Sequence, residues 1–118
     1  LLDSYRHMLG TALPHLEDRD RDEAELPVVL PLAGTVWQGT IDRLYLAGGE
    51  WWLDDYKTDR NPDPDRYVSQ LAVYFEAARA ALSATPRVRL VWLRNRTVSE
   101  LAPEVLQAAL ERLEETPG

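Results

Sequence analysis

From Leu26 to Lys57 the chain is rich in Val, Ile, Leu, Trp and Tyr, and it is punctuated at Ala33-Gly34 and Gly48-Gly49. β-branched and aromatic residues fit a pleated, half-buried surface. Adjacent glycines supply the positive φ that a two-residue hairpin turn demands. The stretch therefore predicts a meander: two strands between Leu26 and Ala47, then a third over Glu50–Lys57. A meander buries only one apolar face if something packs on it, so the rest of the chain must supply helices.

The pattern provides them. Leu1, Tyr5, Met8, Leu9, Ala12 and Leu16 recur at helical spacing, interrupted near Pro14. Six acids between Glu17 and Glu25 read as a solvated loop. Beyond the meander, Asp59-Arg60-Asn61-Pro62-Asp63-Pro64-Asp65 carries too many prolines and turn formers for regular structure. An alanine-rich helix is predicted over Tyr67–Leu82, a short apolar strand over Arg87–Leu93, and a helix over Pro103–Leu113 with proline in its first turn. The expected order is αβββαβα, an α+β chain with a mixed central sheet flanked by helices.

At 118 residues the chain is long enough for one core and too short for two. It opens on Leu1-Leu2, as a single domain cut from a larger protein would. Without cysteine there is no disulfide framework, no cysteine zinc site and no iron–sulfur cluster, so any metal must be held by oxygen or nitrogen. No apolar run approaches the roughly 20 residues of a membrane span, and the chain reads as soluble and cytoplasmic. A net charge of −7 argues against a free-standing nucleic-acid binder, although Arg87, Arg89, Arg94 and Arg96 form a basic stretch.

One constellation carries chemistry. Alternate side chains of a strand share a face, so Asp55 and Lys57 point one way and Asp54 and Tyr56 the other. Asp54 is expected to be exposed or locally satisfied. Asp42 lies on the strand that the Gly48-Gly49 hairpin joins to this one, and antiparallel pairing can bring it beside Asp55. Two ionised acids that close repel, and a divalent cation relieves the repulsion. Oxygen donors favour Mg²⁺ or Mn²⁺, with the backbone carbonyl of Tyr56 as a third ligand. Lys57 would orient water or neutralise charge on a phosphate. The ordinary alternative is a surface ion pair between Asp55 and Lys57, worth at most about 1 kcal/mol. Of the tryptophans, Trp37 and Trp92 read as strand core, while Trp51 and Trp52 point to opposite faces.

Taken together, Gly39-Thr40-Ile41-Asp42, Asp55-Tyr56-Lys57-Thr58 and Gln70-Leu71-Ala72-Val73-Tyr74 resemble the G-x-x-D, D-Y-K-T and Q-x-x-x-Y motifs of RecB-like nucleases of the PD-(D/E)XK superfamily. The nearest likeness is to the nuclease domain ending RecB- and AddA-type helicase–nuclease subunits, and Glu25-Leu26-Pro27 resembles the E-x-P that opens their first strand. The resemblance spans Glu25 to Val98. It implies a restriction-endonuclease-like core, metal binding by Asp42, Asp55 and the Tyr56 carbonyl, and a catalytic Lys57. Gln70 and Tyr74, four apart on one helix face, would line the active site or DNA path. It further implies Mg²⁺ or Mn²⁺ as cofactor, DNA as substrate, and helicase domains that deliver a single-stranded end during break repair. A catalytically weak DNA-binding module with the same fold and a stand-alone exonuclease are the alternatives. The family's upstream histidine has only His7, and less suitably His15, as candidates.

Overall fold

The computed structural model describes residues 19–115 of the chain. Its strands are β1 (Arg19–Leu32), β2 (Thr35–Ala47), β3 (Glu50–Lys57), β4 (Arg87–Trp92) and β5 (Thr97–Leu101). Helix α1 spans Val68–Leu82, entered through a 3₁₀ turn at Pro64–Tyr67, and α2 spans Pro103–Glu115. The sheet order is β1-β2-β3-β4-β5. All neighbours are antiparallel except β3 and β4. That parallel pair needs a crossover, and α1 is the crossover.

The meander, both of its turns and the limits of β3 match the sequence expectation. Gly34, Gly48 and Gly49 all have positive φ, as those turns require. Two expectations are corrected. The acidic stretch is not a loop, because β1 begins at Arg19 and pairs through Ala24↔Arg43. Edge-strand exposure lets Asp22, Glu23 and Glu25 stay solvated, and Arg43 binds the Asp22 carboxylate across the pair, with Nε donating at 2.7 Å. β5 was not anticipated. Its polar residues are held by side chains of β4: Ser99 Oγ accepts from Trp92 Nε1 at 2.9 Å, and Glu100 accepts from Arg87 Nε at 3.0 Å and Nη2 at 2.9 Å. The helix expected over Leu1–Leu16, with His7 and His15, lies outside the described residues.

One core lies between the sheet and both helices, built on Leu44, Leu53, Val88, Leu90 and Trp92 from the strands and on Leu71, Phe75, Leu106 and Leu110 from the helices. Trp37 and Trp51 pack against its rim. Tyr45, Ala47 and Trp52 form a second buried cluster on the opposite face. There Arg89 stacks 3.9 Å from the Trp52 ring centre and Arg87 4.3 Å from it. These two arginines are thus committed to the fold rather than to a basic surface. Asp54 is buried on the same side at 1 % exposure, which excludes the exposed half of the expectation that it would be exposed or locally satisfied. Its partner in the β3–β4 register is Arg89, and a carboxylate opposite a guanidinium is a tolerable buried combination.

Candidate active site

Strand β2 changes phase where the site begins. Trp37 and Ile41 face the helices, and so does Leu44, so the in–out alternation slips by one across Asp42–Arg43. The β2–β3 ladder starts only at Arg43↔Asp54. On the other side, between the pairs Ala24↔Arg43 and Leu26↔Ile41, Glu25 has a φ of +53°. Local irregularities of this kind re-aim side chains. Here the redirected residue is Asp42, whose Oδ2 accepts the Tyr56 N–H at 2.8 Å.

β3 presents Asp55 and Lys57 on the helix side, in phase with Leu53. Lys57 Nζ sits 3.1 Å from Asp55 Oδ2, with the two side chains only 18 % and 4 % exposed. This contact lacks hydrogen-bond geometry, so Asp55 Oδ2 is a buried acceptor with no hydrogen bond. Burial pushes the Asp55 carboxyl up to about 7, the neighbouring Asp42 carboxylate pushes the same way, and Lys57 opposes both. The Asp42 and Asp55 carboxylates are therefore neighbours. Among the described residues no group of three or more His, Cys, Asp and Glu side chains converges on one point.

The lysine is held from two more directions. It donates to Gln70 Oε1 at 3.3 Å. Gln70 Nε2 in turn donates to the Tyr74 hydroxyl at 3.2 Å, and that oxygen also accepts the Thr40 N–H at 3.2 Å. A chain of contacts thus runs from Asp55 through Lys57, Gln70 and Tyr74 back to β2. Tyr74 reaches β2 because Gly39 has no side chain: a Cβ there would lie 2.3 Å from the hydroxyl. Lastly, Lys57 Nζ lies 4.2 Å from the centre of the Tyr67 ring, a cation–π distance. Tyr67 donates its hydroxyl to Asp59 at 2.7 Å and packs on Trp92 with ring centres 6.1 Å apart.

The structure brings Asp42, Asp55, Tyr56, Lys57, Gln70 and Tyr74 into one contiguous cluster. Tyr74 is both core and site: its ring is buried and its hydroxyl is bonded into the polar chain. Sequence reasoning missed Tyr67 and Asp59, which it had assigned to a helix start and a connecting loop. Their one available signal was proximity, two residues after Lys57 and three before Gln70. The turn after β4 lies at the same end of the sheet, since Lys57 pairs with Trp92 and its carbonyl accepts the Leu93 N–H at 2.9 Å. Arg94 and Arg96 stand exposed there.

A family model of the PD-(D/E)XK nuclease superfamily matches residues 1–116. No curated protein matches. Among solved structures, a candidate exonuclease from Eubacterium rectale superposes with a TM-score of 0.62 at 15 % identity, over 96 % of this chain and 50 % of that one. At that identity the likeness concerns the fold, and this chain spans half the length of that protein. The protein VC1899 from Vibrio cholerae aligns over 96 % of this chain and 31 % of its own, at 14 % identity and a TM-score of 0.47.

Proposed function

Because the chain belongs to the PD-(D/E)XK nuclease superfamily, we propose that it is the nuclease domain of a larger protein and hydrolyses DNA phosphodiesters with a divalent cation. The observation that carries this reading is the Asp42–Asp55 pair, with a buried carboxylate oxygen that accepts no hydrogen bond and Lys57 beside it. Such a donor set suits Mg²⁺ or Mn²⁺, which accept one or two carboxylates and keep water and substrate oxygens as further ligands. Asp42, Asp55 and the carbonyl of Tyr56 would hold the ion. When bound, it supplies charge for the scissile phosphate and acidifies a coordinated water.

The chain's own groups perform the rest. Lys57 directs its ammonium toward the acid pair, where it donates a hydrogen bond to the attacking water or to a phosphate oxygen that gains charge in the transition state. Gln70 and the Tyr67 ring hold that ammonium on two sides, so little reorganisation is left for the reaction itself. Tyr74 fixes Gln70 and anchors it to β2. Water adds across the P–O bond and leaves one phosphate end and one hydroxyl end. In its parent protein the domain would act on a single-stranded end delivered by helicase domains during double-strand-break processing, in the cytoplasm of a bacterium. The motifs Asp55-Tyr56-Lys57-Thr58 and Gln70-x-x-x-Tyr74 support that placement.

DNA cutting by the purified protein should need Mg²⁺ or Mn²⁺ and fall roughly 100- to 1,000-fold in Lys57→Ala, the range for removal of one preorganised donor. Unchanged cutting in both Lys57→Ala and Asp55→Ala would refute the assignment. A second reading, a DNA-binding module that keeps the fold without cutting, is favoured by the net charge of −7 and by the small carboxylate set. Calorimetry separates the two. Mn²⁺ binding that disappears in Asp42→Ala supports the nuclease, and no Mn²⁺ binding in the unmodified protein supports the alternative.

A further inference from the structure

Beside the acid–lysine cluster, between β2 and α1, lies a small pocket of about 190 Å³ lined by Trp37, Gln38, Gln70, Val73 and Tyr74. Gln70 and Tyr74 belong at once to this pocket and to the chain of hydrogen bonds that holds Lys57. Anything filling the pocket therefore touches the same residues as the reacting group. Its chemistry is distinctive. None of the five lining side chains is charged, so the pocket offers nothing to a phosphate. It offers instead an indole, an aliphatic wall, a tyrosine ring and the Gln70 carboxamide. Flat aromatic surface with amide donors and acceptors at its margin matches the two faces and polar edge of a nucleobase.

Size narrows the occupant further. The volume is below the roughly 300–1,000 Å³ of pockets that take drug-sized ligands. A single base fits such a space and a base pair does not.

We infer that this pocket is a nucleobase subsite in which one unpaired base stacks on Trp37, next to the phosphate brought to Asp42, Asp55 and Lys57. The inference rests on the nuclease reading for the identity of the ligand as DNA, and it locates the nucleotide that must be unpaired, the one beside the reacting phosphate. Stacking discriminates little among bases, because each has a π face. The subsite thus selects unpaired over paired nucleotides and not one sequence over another.

The test uses a short single-stranded DNA carrying 2-aminopurine at each position in turn, bound in calcium. One position should show strong quenching that is kept in Trp37→Phe, lost in Trp37→Ala, and absent when the same DNA is fully paired. Trp37→Ala should weaken binding roughly 5- to 100-fold, the range for one stacked base. It should produce no loss on DNA made abasic at the quenched position. Trp37→Phe guards against a folding defect, since it retains an aromatic ring against the core. Equal losses on intact and abasic DNA, or no position-specific quenching, would overturn the subsite. Cutting assays keep the two claims apart. Metal-dependent cutting with no position-specific quenching removes the subsite and leaves the nuclease, whereas position-specific quenching without any cutting does the reverse.

Discussion

Asp55→Asn should make the protein more stable while abolishing its activity, and the gain should depend on pH. Asp55 is 3 % exposed, beside Asp42, and its carboxyl is pushed from its ordinary 3.8 to about 7, first by burial and then by Asp42. A raised carboxyl pKa means that the folded state holds a proton which the unfolded chain has already lost. Stability from this group is thus complete below about 4 and is lost as pH rises through about 7. The slope is about 1.36 kcal/mol per pH unit, so the unmodified protein should lose about 3 kcal/mol between pH 5 and pH 8 through Asp55. Asparagine is neutral throughout and escapes this loss.

The advantage of Asp55→Asn over the unmodified protein should accordingly grow by about 3 kcal/mol from pH 5 to pH 8. At about 2.1 cal/mol/K for each residue, that is a relative shift in Tm of about 10 °C. Urea or thermal melts in EDTA at the two pH values measure it. Every other titrating group is common to both proteins, so the difference isolates Asp55. Adding Mg²⁺ at pH 8 should return stability to the unmodified protein alone, by about 2.7 kcal/mol at a hundredfold excess over Kd. Melts of the two proteins that run parallel across this pH range would refute the reasoning. So would a variant that Mg²⁺ stabilises equally.

Gly39→Ala should destabilise by about 1–3 kcal/mol, the usual cost of overpacking, because its Cβ meets the Tyr74 hydroxyl at 2.3 Å. It should also lower kcat by displacing Gln70, and a double-mutant cycle with Tyr74→Leu in urea melts should show strong non-additivity. Gln70→Ala removes the acceptor at 3.3 Å from Lys57 on an exposed part of α1. It should reduce kcat about tenfold or more with stability changed by less than about 0.5 kcal/mol, read from steady-state kinetics beside a melt. Arg94→Glu, in the exposed turn at the Lys57 end of the sheet, should weaken DNA binding and reduce the salt slope by about one counterion, measured by anisotropy titrations at several ionic strengths.

Much of this was legible in the sequence, for identifiable reasons. Period-two alternation assigns faces within a strand, so the sequence alone sets Asp55 and Lys57 on one side and Asp54 on the other. The paired glycines at 48–49 placed β2 beside β3 in the same way. Burial was harder to read. The burial of Asp54 was hidden because nothing in its neighbourhood along the chain announces Arg89, its register partner on the parallel strand β4. Local composition likewise hid β1 within the acidic stretch, since the cation that accommodates Asp22 is Arg43, on the next strand. Tyr67 looked like an ordinary helix-start residue until the fold put its ring 4.2 Å from the lysine ammonium.

What no local pattern could show is how Asp42 comes to face Asp55. Continued from Trp37 and Ile41, strict alternation would turn Asp42 away from the helices and away from the acid it is meant to meet. The slip across Asp42–Arg43 brings it into phase with Leu44 instead, and Leu44 belongs to the core. The slip also ends the β2–β3 ladder at Arg43↔Asp54, short of Tyr56. A buried N–H without an acceptor is costly, and the Asp42 carboxylate takes the place of the missing strand partner at 2.8 Å. One backbone irregularity therefore orients the first acid, satisfies the amide beside the second, and leaves both on the face where Lys57 points. The acid pair is held together by the fold against its own repulsion, which is the condition a divalent cation would relieve.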